Sequence, residues 1–160
     1  MKKSDNTSKW TETETQAWIG LVKAQQHLID KIEEELKKAG YPQLNWYDVL
    51  WELERAKDGS LRLNDLGNKV LLDKYNVTRL VQRLENAGLV SRDKCPVDGR
   101  GVFACITDEG KKLRRDMWNV YERVVRENFL TKYNQKELHD FKNFIERIHA
   151  GVREEITTSD

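Results

Sequence analysis

Hydrophobic periodicity predicts a long first helix. After a polar tail over residues 1–11, large apolar side chains recur at steps of three and four from Trp18 to Leu36. Gly40 is suited to end this helix, because glycine adopts the backbone conformation found just beyond many helix ends. A turn follows, and Asn45 is predicted to cap a second helix that extends to about residue 57.

The middle of the chain predicts short helices and strands in alternation. The alternating segment Leu61–Leu63 favours a short strand, and Asn64 is predicted to cap a short third helix. Asp73 is predicted to cap a fourth helix over residues 74–87, which Gly88 closes.

The remaining pattern predicts a hairpin and two more helices. Residues 89–94 and 102–106 predict two strands joined by a loop. A long helix is predicted over residues 108–132, and Asn134 with Glu137 resembles the capping box of a last helix. The last residues, 154–160, form a second polar tail. The fold class predicted is therefore mainly α with a small β-hairpin.

The predicted fourth helix separates two kinds of side chain. One face is aliphatic and predicts a core contact, since Val77, Leu80, Val81 and Leu84 recur at helical spacing. The opposite face carries groups that can contact base edges and phosphates, namely Tyr75, Thr78, Arg79, Gln82, Arg83 and Asn86. A short helix before it and a hairpin after it predict a helix-turn-helix with a wing. The alternative is a helix pair with an ordinary solvated face.

Four segments occur in an order that points to one family. They are LNDLG at 63–67, YNVTRLVQRLENAGLV at 75–90, DGR at 98–100 and ITDEG at 106–110. Over about residues 12–152 the chain resembles the MarR family of winged helix-turn-helix transcriptional regulators. The second segment is similar to that family's recognition helix, and the third to its Asp-x-Arg wing motif. Bulky residues over 70–75 depart from the family pattern and leave the bound DNA sequence open.

The resemblance implies an architecture and a function. A winged helix-turn-helix over residues 44–107 would lie between dimerisation helices at 12–40 and 108–153. Two recognition helices of a homodimer would enter successive major grooves of a pseudo-palindromic double-stranded DNA site, and repression is the expected mode of control.

The resemblance and the side-chain chemistry suggest a role for each residue that is expected to contact DNA. The bases would be contacted by Tyr75, Asn76, Thr78 and Arg79, with Gln82 on the same face, and the phosphates by Lys74, Arg83, Arg92 and Lys94. Arg100 is the candidate for insertion into the minor groove. Asp98 is expected to fix the wing loop by pairing with Arg100. This ion pair is also the alternative role of Arg100, in which it holds the loop and does not contact DNA.

A broad apolar stripe independently favours self-association. Phe141, Phe144, Ile145 and Ile148 share one face of the last predicted helix. A single small winged helix offers too little surface to cover this stripe, so a second chain is the expected partner. Packing within one chain is the alternative.

Charge is unevenly distributed, although the formal net charge is only +1. Residues 60–115 contain 12 Lys or Arg against 7 Asp or Glu, whereas the rest contains 16 against 20. A basic middle between acidic flanks fits a nucleic-acid face on a self-associating frame. No apolar run approaches the length of a membrane span, and a cytoplasmic location is the expectation.

Many aromatic residues lie on the predicted helices beside the winged domain. The family resemblance implies a cleft there for a small aromatic or anionic effector, and the candidates for its lining are Trp18, Trp46, Tyr47, Trp51 and Trp118. Core packing is the simpler explanation of these aromatic residues.

The two cysteines leave two interpretations open. A loop centred on Gly99 and Arg100 would place Cys95 opposite Cys105, which would permit a redox switch. The simpler interpretation is two small apolar strand residues.

The sequence does not suggest an enzyme. It lacks the spacing of a zinc site, a phosphate-binding glycine loop and a recognisable nucleophile with its base, so no cofactor or metal is predicted. The alternative from another class is a winged-helix scaffold for protein interactions without DNA binding.

Overall fold

The structure is a computed structural model that describes residues 10–70, 74–92 and 102–157, and the side chains of 10–70, 76–92 and 102–151. The described helices are α1 (Glu12–Lys38), α2 (Leu44–Arg55), α3 (Leu63–Lys69), α4 (Lys74–Asn86), α5 (Asp108–Asn128) and α6 (Gln135–Thr157). The described strands are β1 (Ser60–Arg62), β2 (Val90–Ser91) and β3 (Phe103–Ile106). These elements confirm the predicted fold class, a mainly helical winged helix-turn-helix.

The strands form one antiparallel sheet in the order β1-β3-β2. Cys105 of β3 lies opposite Ser60 of β1 and Ser91 of β2. The predicted strand at Leu61–Leu63 therefore forms one residue earlier than expected. It is the third strand of the sheet that supports the hairpin.

The chain divides into two compact units, Met1–Tyr121 and Glu122–Asp160. In the first unit a core joins α2, α3, α4 and the sheet through fully buried aliphatic side chains such as Leu50, Leu66 and Val81. Each such side chain contributes about 1.5–3 kcal/mol by leaving water. Among the described residues, no helix has both the length and the apolar content needed to cross a membrane.

Helix ends show where local sequence signals succeeded. Thr11 and Glu14 form a reciprocal capping box at the start of α1. At α6 the predicted capping box is confirmed, because Asn134 accepts from the backbone N–H of Glu137 at 3.0 Å and Glu137 accepts from that of Asn134 at 2.8 Å. The helix extends to Thr157, beyond the expected boundary at residue 153.

Two predicted caps and one helix end were wrong. Helix α2 begins at Leu44, whose N–H is held by Glu33 of α1 at 3.0 Å, so Asn45 lies inside the helix. Helix α3 begins at Leu63 directly after β1, and Asn64 is its second residue. The Val102 carbonyl accepts the N–H of Leu63 at 3.0 Å, so at both helix starts a group distant in sequence takes the place of the local side-chain cap. Helix α5 ends at Asn128, before a 3₁₀ turn over Leu130–Lys132.

The start of α5 is packed tightly onto the end of α4. The backbone turns at Gly88, whose φ of +73° favours glycine. Thr107 donates its hydroxyl to the Gly88 carbonyl at 2.8 Å and accepts the N–H of Gly110 at 3.0 Å. A Cβ on Gly110 would overlap the Leu89 carbonyl oxygen, so α5 requires glycine to approach this turn.

Replacing Gly110 with alanine is expected to lower the free energy of unfolding by about 1–3 kcal/mol, because the backbone of the turn must shift to admit the methyl group. Gly20→Ala is the control, since its new Cβ would meet nothing within 4 Å and alanine favours helix by about 1 kcal/mol. Urea unfolding of both variants measures the difference. A Gly110 variant as stable as the wild type would show that the approach of α5 is not tight.

Candidate nucleic-acid interface

Helix α4 presents a polar face outward on an anchored aliphatic face. Val77, Leu80, Val81 and Leu84 are almost completely buried in the core, as the sequence predicts. The side chains exposed opposite them are Asn76, Thr78, Arg79, Gln82, Arg83 and Asn86. Because the buried positions are fixed by packing, the outward groups keep a defined direction. The arrangement provides amides, a hydroxyl and cations on one side of one helix.

Several predicted contact residues cannot be placed on this surface. The backbone of Lys74 and Tyr75 forms the first turn of α4, but their side chains lie outside the described residues. Lys94, Asp98 and Arg100 of the predicted wing also lie outside them. Their assignments as DNA contacts remain predictions from the sequence.

Arg92, directly after β2, contacts α4. Its Nε donates to Oε2 of Glu85 at 2.9 Å, and its Nη2 lies 2.8 Å from the same oxygen. Nη2 also donates to the side-chain oxygen of Gln82. The sequence assigned Arg92 to phosphate and did not reveal this bridge, because Glu85 and Arg92 belong to different elements.

Four aromatic rings stack between α2 and α5. Tyr47 lies 5.1 Å from Tyr121 and 6.3 Å from both Trp51 and Trp118, measured between ring centroids. The rings are nearly parallel, with interplanar angles of at most 19°. Tyr47 is buried, whereas Trp118 stays 37% exposed, so the stack reaches the surface at the α5 side.

The structure thus brings together three of the five aromatic residues that the sequence singled out. Tyr121 joins them and was missed, although it lies three residues after Trp118 on the same helix face. Among the described residues, Trp18 and Trp46 are not part of the stack. Trp18 is exposed on α1, and Trp46 packs against the core of the winged domain.

Arginines border the aromatic stack. Arg114 of α5 forms an ion pair with Glu54 of α2, and its guanidinium carbon lies 5.7 Å from the centroid of Trp51. Arg55, which is exposed, lies 5.3 Å from the same ring. Burial raises the pKa of Tyr47 to about 12 despite the opposing effect of Arg114, so Tyr47 keeps its proton at neutral pH.

Comparisons with known proteins agree with this geometry. The profile of the MarR family matches residues 42–101. The transcriptional regulator FarR of Neisseria gonorrhoeae is 35% identical over 101 residues, which span 62% of this chain and 66% of FarR, just under two thirds of that protein. AbsC, a MarR family transcriptional regulator of Streptomyces coelicolor, is 27% identical with a TM-score of 0.83 over 92% of this chain and 99% of AbsC.

The chain matches the MarR family over residues 42–101 and has the fold of a solved MarR family regulator. Two more solved structures share its fold. Sco3205 of Streptomyces coelicolor, solved in complex with DNA, is 24% identical with a TM-score of 0.82 over 90% of this chain and 94% of its own. NadR, solved in complex with 4-hydroxyphenylacetate, is 26% identical with a TM-score of 0.63 over 92% of this chain and 97% of its own. FarR, AbsC and Sco3205 are transcriptional regulators.

Cys105 does not fit the simpler sequence interpretation, in which both cysteines are small apolar strand residues. Cys105 is disulfide-bonded and almost completely buried, so it is not a plain apolar thiol. The described register places Ser91 opposite Cys105, so the ladder is not centred on Gly99 and Arg100. Cys95 lies outside the described residues.

A half-buried carboxyl group lies beside the aromatic stack. Burial raises the pKa of Asp48 on α2 from 3.8 to about 6, and the negative charges of Glu33 and Glu52 raise it further in the same direction. Asp48 therefore holds its proton more tightly in the folded protein than a free carboxyl group does in water. The three acidic residues lie on two different helices, so a local sequence pattern does not reveal this cluster.

Asp48→Asn is expected to stabilise the protein at neutral pH. A raised folded-state pKa gives stability that is present below pH 4 and is lost as pH rises through 6. The variant's advantage in free energy of unfolding should thus be small at pH 4 and reach about 1–3 kcal/mol at pH 7.5.

Denaturant unfolding across this pH range measures that difference, with Asp140→Asn on the exposed surface of α6 as the matched control. An advantage of Asp48→Asn that is the same at pH 4 and pH 7.5 would contradict the assigned carboxylate cluster.

Proposed function

We propose that this protein is a sequence-specific regulator of transcription of the MarR family that binds double-stranded DNA as a homodimer. The observation that carries the proposal is the outward face of α4, with Asn76, Thr78, Arg79 and Arg83 exposed above a fully buried aliphatic face. Amide, hydroxyl and guanidinium groups on a helix of 13 residues match the donors and acceptors of a major groove. Repression is the mode that the family resemblance implies.

Two apolar surfaces support the homodimer. On α1, Trp18, Ile19 and Val22 are exposed, and on α6 the stripe of Phe141, Phe144 and Ile148 is exposed, with Phe144 at 54%. Side chains of this size at helical spacing seldom face water in clusters unless they meet a partner. A second copy of the chain is the partner that the family resemblance implies, and it would supply the second recognition helix.

The aromatic stack supports a small aromatic anion as an effector. Trp118 exposes part of its ring at one end, and the cationic Arg55 lies over the face of Trp51. A flat ligand can stack on such rings while its carboxylate approaches the guanidinium. The complex of NadR with 4-hydroxyphenylacetate shows that a protein of this fold binds a ligand of this class.

DNA fragments bound by the wild-type protein are to be selected from genomic DNA and used to test α4. Arg79→Ala should weaken binding of a selected duplex by about 1–3 kcal/mol and relax its sequence preference, because a group close to the base edges is removed. Lys142→Ala removes the same charge from a different helix, α6, and should leave the sequence preference unchanged. Gel shifts and sedimentation of the complexes measure affinity and stoichiometry, and two chains per duplex are expected.

Two results would contradict this part of the proposal. Equal affinity of Arg79→Ala and wild type for the selected duplex would remove α4 as the reading element. A wild-type protein that neither enriches any fragment nor stays on heparin would favour a protein-interaction scaffold instead.

Titration with 4-hydroxyphenylacetate should quench tryptophan fluorescence and release the selected duplex. Trp118→Ala should weaken the ligand about two- to tenfold, since stacking on one ring is worth about 0.5–1.5 kcal/mol. Trp10→Ala, which removes an exposed tryptophan at the start of the described chain, is the control and should bind the ligand as the wild type does. No fluorescence change up to millimolar ligand would rule this ligand out.

A further inference from the structure

The bridge from Arg92 to α4 connects the two parts of the protein that are expected to meet DNA. Arg92 follows β2 and is the last described residue before the predicted wing loop. Its guanidinium contacts Glu85 and Gln82, which lie three residues apart on α4. The bridge therefore spans from the wing strand to the C-terminal half of the helix that carries Arg79.

The bridge is a small network and not a single surface ion pair. Gln82 accepts from Arg92 and donates its amide to Asn86 at 3.1 Å and to Glu85 at 3.3 Å. Arg92 and Glu85 expose only 25% and 27% of their side chains, so the pair is less screened by solvent than a fully exposed pair. The planar fork of arginine can hold two acceptors at once, which fixes direction as well as distance.

The backbone between the two ends of the bridge has a turn at Gly88. Two backbone bonds hold the helix end, from Gly88 N–H to the Glu85 carbonyl and from Leu89 N–H to the Leu84 carbonyl, both at 2.9 Å. Beyond this turn, the described part of β2 pairs with β3 at Val90 and Ser91. Arg92, directly after these two pairs, joins the strand to α4 through its side chain.

The same contacts weigh against phosphate binding as the main role of Arg92. Glu85 neutralises its charge at 2.8 Å, and both Nε and Nη2 are already directed at acceptors within the protein. A phosphate would have to compete with a carboxylate that is held in place on α4.

We propose that Arg92 is a positioning residue, which through Glu85 and Gln82 sets the orientation of the β2–β3 wing strands relative to α4 and thereby the specificity of DNA binding. This inference rests on the proposed function, because the orientation matters only if helix and wing contact one duplex. Arg92 acts here through α4, whereas the sequence assigned it directly to phosphate.

The first experiment uses the protein without DNA. Hydrogen exchange of the β2 and β3 amides is compared for wild type, Arg92→Gln, Glu85→Gln and the double variant. Each single variant should speed exchange about fivefold, and the double variant should add little, because both remove one shared interaction. Arg126→Gln with Glu122→Gln, an exposed ion pair within α5, is the matched control. Unchanged exchange in both single variants would overturn the proposal.

The second experiment measures binding to the selected duplex and to a random duplex over a series of salt concentrations. Glu85→Gln and Arg92→Gln should weaken the selected duplex by a similar factor, about five- to tenfold, with the salt dependence unchanged. If Arg92 instead binds phosphate, Arg92→Gln lowers the salt slope by about one, while Glu85→Gln strengthens binding to both duplexes. That pattern would overturn the proposal.

The two experiments separate this inference from the proposed function. A wild-type protein that binds no duplex would refute the proposed function, and hydrogen exchange would still show whether the bridge orients the strands. The double charge reversal Glu85→Arg with Arg92→Glu should restore slow hydrogen exchange of the β2 and β3 amides if the ion pair itself orients the strands. If these amides exchange as fast in the double reversal as in either single reversal, the bridge does not orient the strands.

Discussion

The burial of the aliphatic face of α4 is the constraint on which the rest of this structure depends. Val77, Leu80, Val81 and Leu84 pack between α2, α3 and the sheet, and together they contribute several kcal/mol. A helix held on one face by packing cannot rotate, since rotation would expose these side chains. The outward polar groups therefore form a preorganised surface, which is what a protein that reads base edges needs.

The same core connects the α4 surface to the aromatic stack. Helix α2 contributes Leu50 and Leu53 to the core and also carries Tyr47 and Trp51. Helix α5 begins against the turn after α4 and carries Trp118 further along. If a ligand changed the packing of α2 against α5, the change would be transmitted to α4 through the core contacts described above. Such coupling is reciprocal, so DNA that prefers one arrangement would change the affinity for the ligand by the same factor.

Local patterns predicted most elements because their causes are local. The spacing of aliphatic residues identified α4, and the reciprocal cap of Asn134 with Glu137 identified the start of α6. Both signals lie within the helix that they predict or directly at its end. The caps assigned to Asn45 and Asn64 failed where the first turn is fixed by a distant group. Glu33 of α1 holds the start of α2, and the Val102 carbonyl accepts the N–H of Leu63 at the start of α3.

The sequence by itself determined the winged helix-turn-helix, the outward cations and amides of α4, and the apolar stripe on α6. Only the tertiary structure decided the contacts of Arg92, the inclusion of Tyr121 in the stack and the raised pKa of Asp48. The physical reason is distance along the chain. Helical periodicity specifies which face is buried, whereas charge pairing, ring stacking and desolvation depend on which other element covers that face.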